Sequence, residues 1–178
     1  MIRTQVGYTG GSRENPTYRA LGDHAESIEI YYDPSVISYR DLLEIFWKSH
    51  DPSARPWSRQ YMSAIFTHNE EQKKLAVESM EQQERTRGKI YTEIVPAARF
   101  YPAEDYHQKY YLRQRPELVN ELGRIYPNET FVDSTAAARV NGFLAGYGSY
   151  AVLKADLKEL LSPDEDARVL KMLGERNS

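Results

Sequence analysis

Met1-Ile2-Arg3-Thr4-Gln5-Val6 mixes apolar and polar positions and reads as a strand already under way; no basic stretch leads into an apolar one, so it does not read as a signal peptide. Gly7-Tyr8-Thr9-Gly10-Gly11 and Asn15-Pro16-Thr17-Tyr18 follow, and because Gly, Asn and Pro clusters mark turns, residues 7–26 read mostly as loop. From Ser27 to Tyr32 the pattern has period two. Ile28, Ile30 and Tyr32 share one face and Ser27, Glu29 and Tyr31 the other, which predicts a half-buried strand closed by Asp33-Pro34. The period then becomes helical. Ser38 and Asp41 have capping-box spacing, and Tyr39, Leu42, Leu43 and Phe46 form a stripe that should end near His50, since Pro52 and Pro56 follow. Tyr61 to Phe66 is a second strand. Asn69 with Gln72 opens a long helix whose inner face is Leu75, Ala76, Ser79 and Met80 and whose stop is Gly88. Lys89 to Val95 alternates again, with Ile90 and Ile94 inward.

Beyond Pro96 the segments 102–112 and 116–124 read as short helices, and Ser134–Leu144 as a helix of small residues broken by Asn141-Gly142 and Gly146-Tyr147-Gly148. Two more helical segments close the chain, the second with Ser162 as cap, Pro163 at its first position and Glu165 three after the cap. The pattern is α+β, a few strands with helices on one side.

With 178 residues the chain suits one ordinary domain or a domain with an appendage, and can bury about 70% of its unfolded surface. Lys+Arg 23 against Asp+Glu 26 gives a net charge of −3, which offers no basic footprint for nucleic acid or an anionic membrane surface. No apolar run approaches the roughly 18 residues of a membrane span. Zero cysteine removes thiol nucleophiles, thiolate zinc sites and disulfides from the chain itself.

Candidate chemistry is sparse on the residues alone. Gly7 to Gly11 lacks the spacing and lysine of a phosphate loop and reads as a tight turn. His24, His50, His68 and His107 are far apart and form no HExxH, so no metal site is expected. Glu26 stands where a loop enters a strand, and partial desolvation there could make it a general acid; spacing alone favours a solvated loop glutamate. Tyr18 and Tyr61 read first as packing residues. Glu104-Asp105-Tyr106-His107 reads as acidic residues at a helix start.

Taken in order, however, Val6-Gly7-Tyr8-Thr9-Gly10-Gly11, Asn15-Pro16-Thr17-Tyr18, His24-Ala25-Glu26, Tyr32-Asp33-Pro34, His50-Asp51-Pro52, Gln60-Tyr61-Met62-Ser63-Ala64-Ile65 and Phe100-Tyr101-Pro102-Ala103-Glu104-Asp105-Tyr106-His107-Gln108 resemble the A-type peptide methionine sulfoxide reductases across residues 2–112. The resemblance implies a two-layer α/β sandwich of that type and a reaction, reduction of methionine S-sulfoxide, free or in peptides, to methionine. It implies that Glu26 is the acid that protonates the sulfoxide oxygen and that Tyr18 and Tyr61 hold that oxygen. It also implies no cofactor or metal, and an external thiol reductant, thioredoxin or dithiothreitol. The substrate would be oxidised methionine, the protein a monomer, and the compartment the cytoplasm by default.

Two departures stand out. The family's Gly-Cys-Phe-Trp-Gly signature is absent, so the expectation is a domain over 1–148 missing its first strand and helix, truncated at the N-terminus and inactive as it stands, with 149–178 as a helical tail. Phe46-Trp47 does not replace the signature, because it sits in a helical apolar stripe and reads as core. Ser53 to Arg59 differs from the glycine-rich, aspartate-bearing segment that usually precedes Gln-Tyr, and Trp57 there reads equally as a site wall or a surface residue. Three readings stay open: a truncated reductase, a cysteine-less module that binds oxidised methionine, and a non-catalytic interaction protein on the same scaffold.

Overall fold

The computed structural model describes residues 2–127 and 130–174; Met1, read above with the opening strand, lies outside them. The chain forms two compact units, Val6–Glu104, and Asp105–Ser178 together with Met1–Gln5.

The first unit is mixed α/β. Strands β1 (Arg3–Thr9), β2 (Ala25–Tyr31) and β5 (Tyr101–Pro102) form a sheet ordered β2-β1-β5, with β1 antiparallel to β5 in the register Gly7↔Pro102 and Tyr8↔Tyr101. A separate parallel pair joins β3 (Ala64–Thr67) to β4 (Glu93–Pro96), with Ile65 opposite Ile94. The crossover between them is α2 (Glu70–Arg87), as parallel pairing requires a long connection. Helix α1 (Tyr39–Lys48) carries the expected capping box, the Asp41 amide donating to Ser38 Oγ and the Ser38 amide to the Asp41 carboxylate. Its Leu43 and Trp47 pack with Ile65, Ala76 and Ile90, and Trp47 Nε1 donates to Ser79 Oγ at 3.0 Å. Trp47 is therefore core, with Phe46 partly buried against it, and burying a side chain as large as Trp47 contributes about 1.5–3 kcal/mol.

The second unit is helical: α3 (Tyr110–Arg113), α4 (Pro116–Ile125), α5 (Thr130–Asp133), α6 (Thr135–Leu144), α7 (Tyr150–Leu160) and α8 (Pro163–Gly174). Leu118, Leu122, Val140, Leu157 and Val169 meet in one core, so α7 and α8 share a core with α4 and α6. Serine caps start two of these helices, the Ala137 amide donating to Ser134 and the Val152 amide to Ser149, and before α8 the Ser162 amide and hydroxyl donate to the Glu165 carboxylate. The buried Glu121 is held by Arg168 at 2.6 Å.

Several boundaries differ from the sequence-based expectation. The second strand starts at Ala64 because Gln60–Ser63 is drawn into a turn, the Met62 amide donating to Arg59 O. Lys89–Thr92 is not ladder; the Tyr91 amide is taken by Pro52 O, and the strand begins at Glu93. The expected helix over 102–112 shrinks to Tyr110–Arg113, since Lys109 sits in the left-handed region at φ 53 and interrupts it. Helix α6 runs through Asn141-Gly142, because the Asn141 side chain is occupied by the Leu112 amide; Gly146 and Gly148, at φ 90 and 78, follow its end. The alternation in β2 is present, but its Ile28–Ile30 face is open: Ile28 is 57% exposed.

Candidate functional site

The loop between β1 and β2 is a built object. Gly10 adopts φ 82, and at Gly11 an added Cβ would stand 2.5 Å from the His24 amide, so glycine is required at both. His24 is 1% exposed. The Gly11 amide donates to its Nδ1 at 3.1 Å, which leaves Nε2–H to donate to Arg13 O at 2.7 Å. The Ser12 amide donates to Asp23 Oδ1 at 2.8 Å, and that bond is the main reason the Asp23 carboxyl lies below its ordinary range. His24 is thus a brace for the loop. Tyr18, after Asn15 at φ 49, is fixed through its backbone: its amide donates to Glu104 Oε1 at 3.0 Å, while the buried Tyr8 hydroxyl donates to Glu104 Oε2 at 2.6 Å.

The other half comes from the turn before β3. Ser63 Oγ lies 2.7 Å from His50 Nε2, and His50 Nδ1 lies 2.9 Å from Phe46 O. With Nδ1–H on that carbonyl, Nε2 accepts from Ser63, and the turn is tied to the end of α1. Just before it, Gln60 grips Glu26 twice. The Glu26 amide donates to Gln60 O at 3.0 Å, and Gln60 Nε2 donates to Glu26 Oε1 at 2.5 Å. The same Nε2 reaches Tyr61 Oη at 3.3 Å. Trp57 stacks on Tyr61 with ring centroids 4.8 Å apart.

Tyr18, Glu26 and Tyr61 are therefore brought together. The Tyr61 phenol is held above the ordinary tyrosine range, first by its hydrogen bond with Tyr18, then by desolvation, the neighbouring Tyr18 and the Glu26 charge. It stays a neutral O–H donor well above neutral pH. The cluster offers a carboxyl and two phenols around one exposed point, a set able to donate hydrogen bonds or a proton to a small polar oxygen. Among the described residues no group of three or more His, Cys, Asp or Glu could hold a metal ion.

Glu26 and Tyr61 also line an open groove of about 500 Å³. Ile28, Ile30, Leu42, Phe46, Ile65 and Phe66 make it largely apolar. It lies between the two sheets of the first unit, and the open Ile28–Ile30 face is one of its walls.

Two residues escaped sequence reasoning. Glu104 was expected at a helix start; no helix starts there, and its carboxylate instead ties Tyr8 to Tyr18. Gln60 stood inside a motif with no role of its own. Both sit beside motif residues, yet their partners lie 86 and 34 positions away, which spacing does not reveal. Trp57 is 82% exposed and stacks on Tyr61.

The cluster sets a carboxyl and two phenols at a loop-to-strand junction of an α/β layer. Residues 1–138 match the family model described as peptide methionine sulfoxide reductase. A peptide methionine sulfoxide reductase of Drosophila melanogaster is 45% identical over 93% of this chain and 68% of its own length. Peptide methionine sulfoxide reductase A5 of Oryza sativa subsp. japonica is 40% identical over 98% of this chain and 66% of its own. Among solved structures, methionine sulfoxide reductase A of Corynebacterium diphtheriae superposes with a TM-score of 0.58 at 34% identity, covering 64% of each chain. The chain belongs to the peptide methionine sulfoxide reductase family. It spans from 59% to 68% of the length of the first curated relatives it matches, and its 178 residues contain no cysteine. No helix among the described residues is long and apolar enough to cross a membrane.

Proposed function

We propose that these 178 residues hold the proton-donating half of a peptide-methionine (S)-S-oxide reductase, with Glu26 as general acid and Tyr18 and Tyr61 as hydrogen-bond donors to the sulfoxide oxygen. The observation that carries this reading is the convergence of the three side chains, tied by Gln60 and by the Tyr18–Tyr61 hydrogen bond. The thiol must come from outside the 178 residues, because the chain has none. An extended apolar segment seated in the groove beside Glu26 and Tyr61 would deliver it. The thiol attacks the sulfoxide sulfur, the oxygen passes to the thiol sulfur as a sulfenic acid, and methionine leaves. Glu26 supplies the proton that the oxygen needs as the sulfur–oxygen bond weakens. Two further thiols then reduce the sulfenic acid, releasing water and leaving a disulfide between them. Thioredoxin, or dithiothreitol in vitro, fits that role, and a thiol-rich compartment such as the cytoplasm suits it. The substrate is oxidised methionine, free or in peptides, and the protein works as a monomer. The cysteine-free composition favours a second reading for the chain by itself: binding oxidised methionine without reducing it.

The test is a titration of isotope-labelled protein with the two epimers of N-acetyl-methionine sulfoxide methylamide, followed by NMR. Shifts at Tyr18, Glu26, Gln60 and Tyr61 with the S epimer alone are expected. Equal response to both epimers, or shifts confined elsewhere, would remove the assignment.

A further inference from the structure

The hydrogen-bond pattern around Glu26 carries one more step, which rests on the reading just given. A protonated carboxyl has one oxygen that donates and one that only accepts. Which oxygen carries the proton decides whether the acid faces its substrate. Gln60 Nε2 donates to Glu26 Oε1 at 2.5 Å, and an amide NH2 cannot accept a proton in return. Oε1 is therefore fixed as the accepting oxygen. Among the described residues Oε2 takes no hydrogen bond, so it is left to carry the proton. The same Nε2 also lies 3.3 Å from Tyr61 Oη, whose own O–H is engaged with Tyr18. Gln60 is in turn held at its carbonyl by the Glu26 amide at 3.0 Å, so main chain and side chain register together. We propose that Gln60 is a positioning residue: its side-chain amide fixes Glu26 Oε1 as the accepting oxygen and so sets the acid proton on Oε2, toward the sulfoxide oxygen.

A double-mutant cycle tests this. Affinity for N-acetyl-methionine-S-sulfoxide methylamide is measured on the wild-type chain, Gln60→Met, Glu26→Ala and the double variant, with thermal unfolding of each. Methionine keeps the length and volume of glutamine and removes the donor, and the backbone bond from the Glu26 amide is unaffected. Gln60→Met is expected to weaken binding about tenfold in the wild-type background, the scale of one well-directed hydrogen bond. In the Glu26→Ala background the same change should cost less than about twofold, with the melting midpoint unmoved, because its main target is gone. A purely structural glutamine would give equal losses in both backgrounds. Equal losses, or wild-type affinity in Gln60→Met, overturn the positioning role while Glu26→Ala still shows the acid at work. Absence of sulfoxide binding in the wild type overturns the functional reading and this inference together.

Discussion

Lys109 tests the energetics of the helical unit most sharply. Its ammonium is buried, with Nζ donating to the Thr4 carbonyl at 2.6 Å and to Thr4 Oγ1 at 3.1 Å. Burial lowers its pKa from 10.5 to about 8, against a smaller opposing pull from the Asp133 charge. The gap between about 8 and 10.5 corresponds to about 3 kcal/mol at 1.36 kcal/mol per pKa unit. Below about pH 8 both folded and unfolded chains hold the proton, and the fold bears the whole cost of burying it. Between about pH 8 and 10.5 the unfolded chain binds more protons than the folded one, so the unfolding free energy rises with pH. Tyr39 acts in the opposite sense above pH 10, since burial pushes its phenol to about 12 and only the unfolded chain then ionises. Comparing wild type with Lys109→Met cancels that contribution. Urea unfolding followed by circular dichroism at pH 7, 8.5 and 10 should show the wild type gaining up to about 3 kcal/mol on the variant across that range. Parallel pH profiles for the two proteins would refute the buried-ammonium argument.

The chain as it stands should give no reduction of methionine sulfoxide with dithiothreitol above a no-enzyme blank; measurable turnover would mean that a non-thiol route exists. The open face of β2 should drive self-association, and Ile28→Thr with Ile30→Thr should reduce light scattering while moving the melting midpoint by less than about 2 °C; unchanged scattering would clear that face. Tyr8→Phe removes one hydrogen bond to the Glu104 carboxylate and should cost about 1.5–2 kcal/mol in urea unfolding. Leu122→Ala, in the fully buried helical core, should cost about 2–5 kcal/mol; a loss under 1 kcal/mol would show that the core there is not close-packed.

Local chemistry was the legible part of the sequence. The Ser38–Asp41 capping box, the Asn69 cap and the Ser162-Pro163 start all appear where spacing puts them, because a cap depends on residues three apart. The apolar stripe through Phe46 and Trp47 placed Trp47 in the core, while Phe46 is partly buried and also lines the groove. Long-range partners were not legible. Lys109 breaks an expected helix by adopting a left-handed backbone and reaching Thr4, 105 positions away. Asn141, a breaker by type, serves inside a helix because the Leu112 amide takes its side chain. The period-two pattern of β2 was read correctly as strand, but alternation says which residues share a face and not what covers it. Glu26 became a strong candidate only through the family motifs, and its convergence with Tyr18 and Tyr61 is a property of the folded loops.

The most direct measurement of the central claim is a crystal structure of this chain soaked with methionine S-sulfoxide. The account predicts the sulfoxide oxygen within hydrogen-bonding distance of Glu26 Oε2 and of the Tyr18 and Tyr61 hydroxyls, with its sulfur facing the apolar groove. A sulfoxide bound with its oxygen in solvent, or density only at a site away from Glu26, would contradict it.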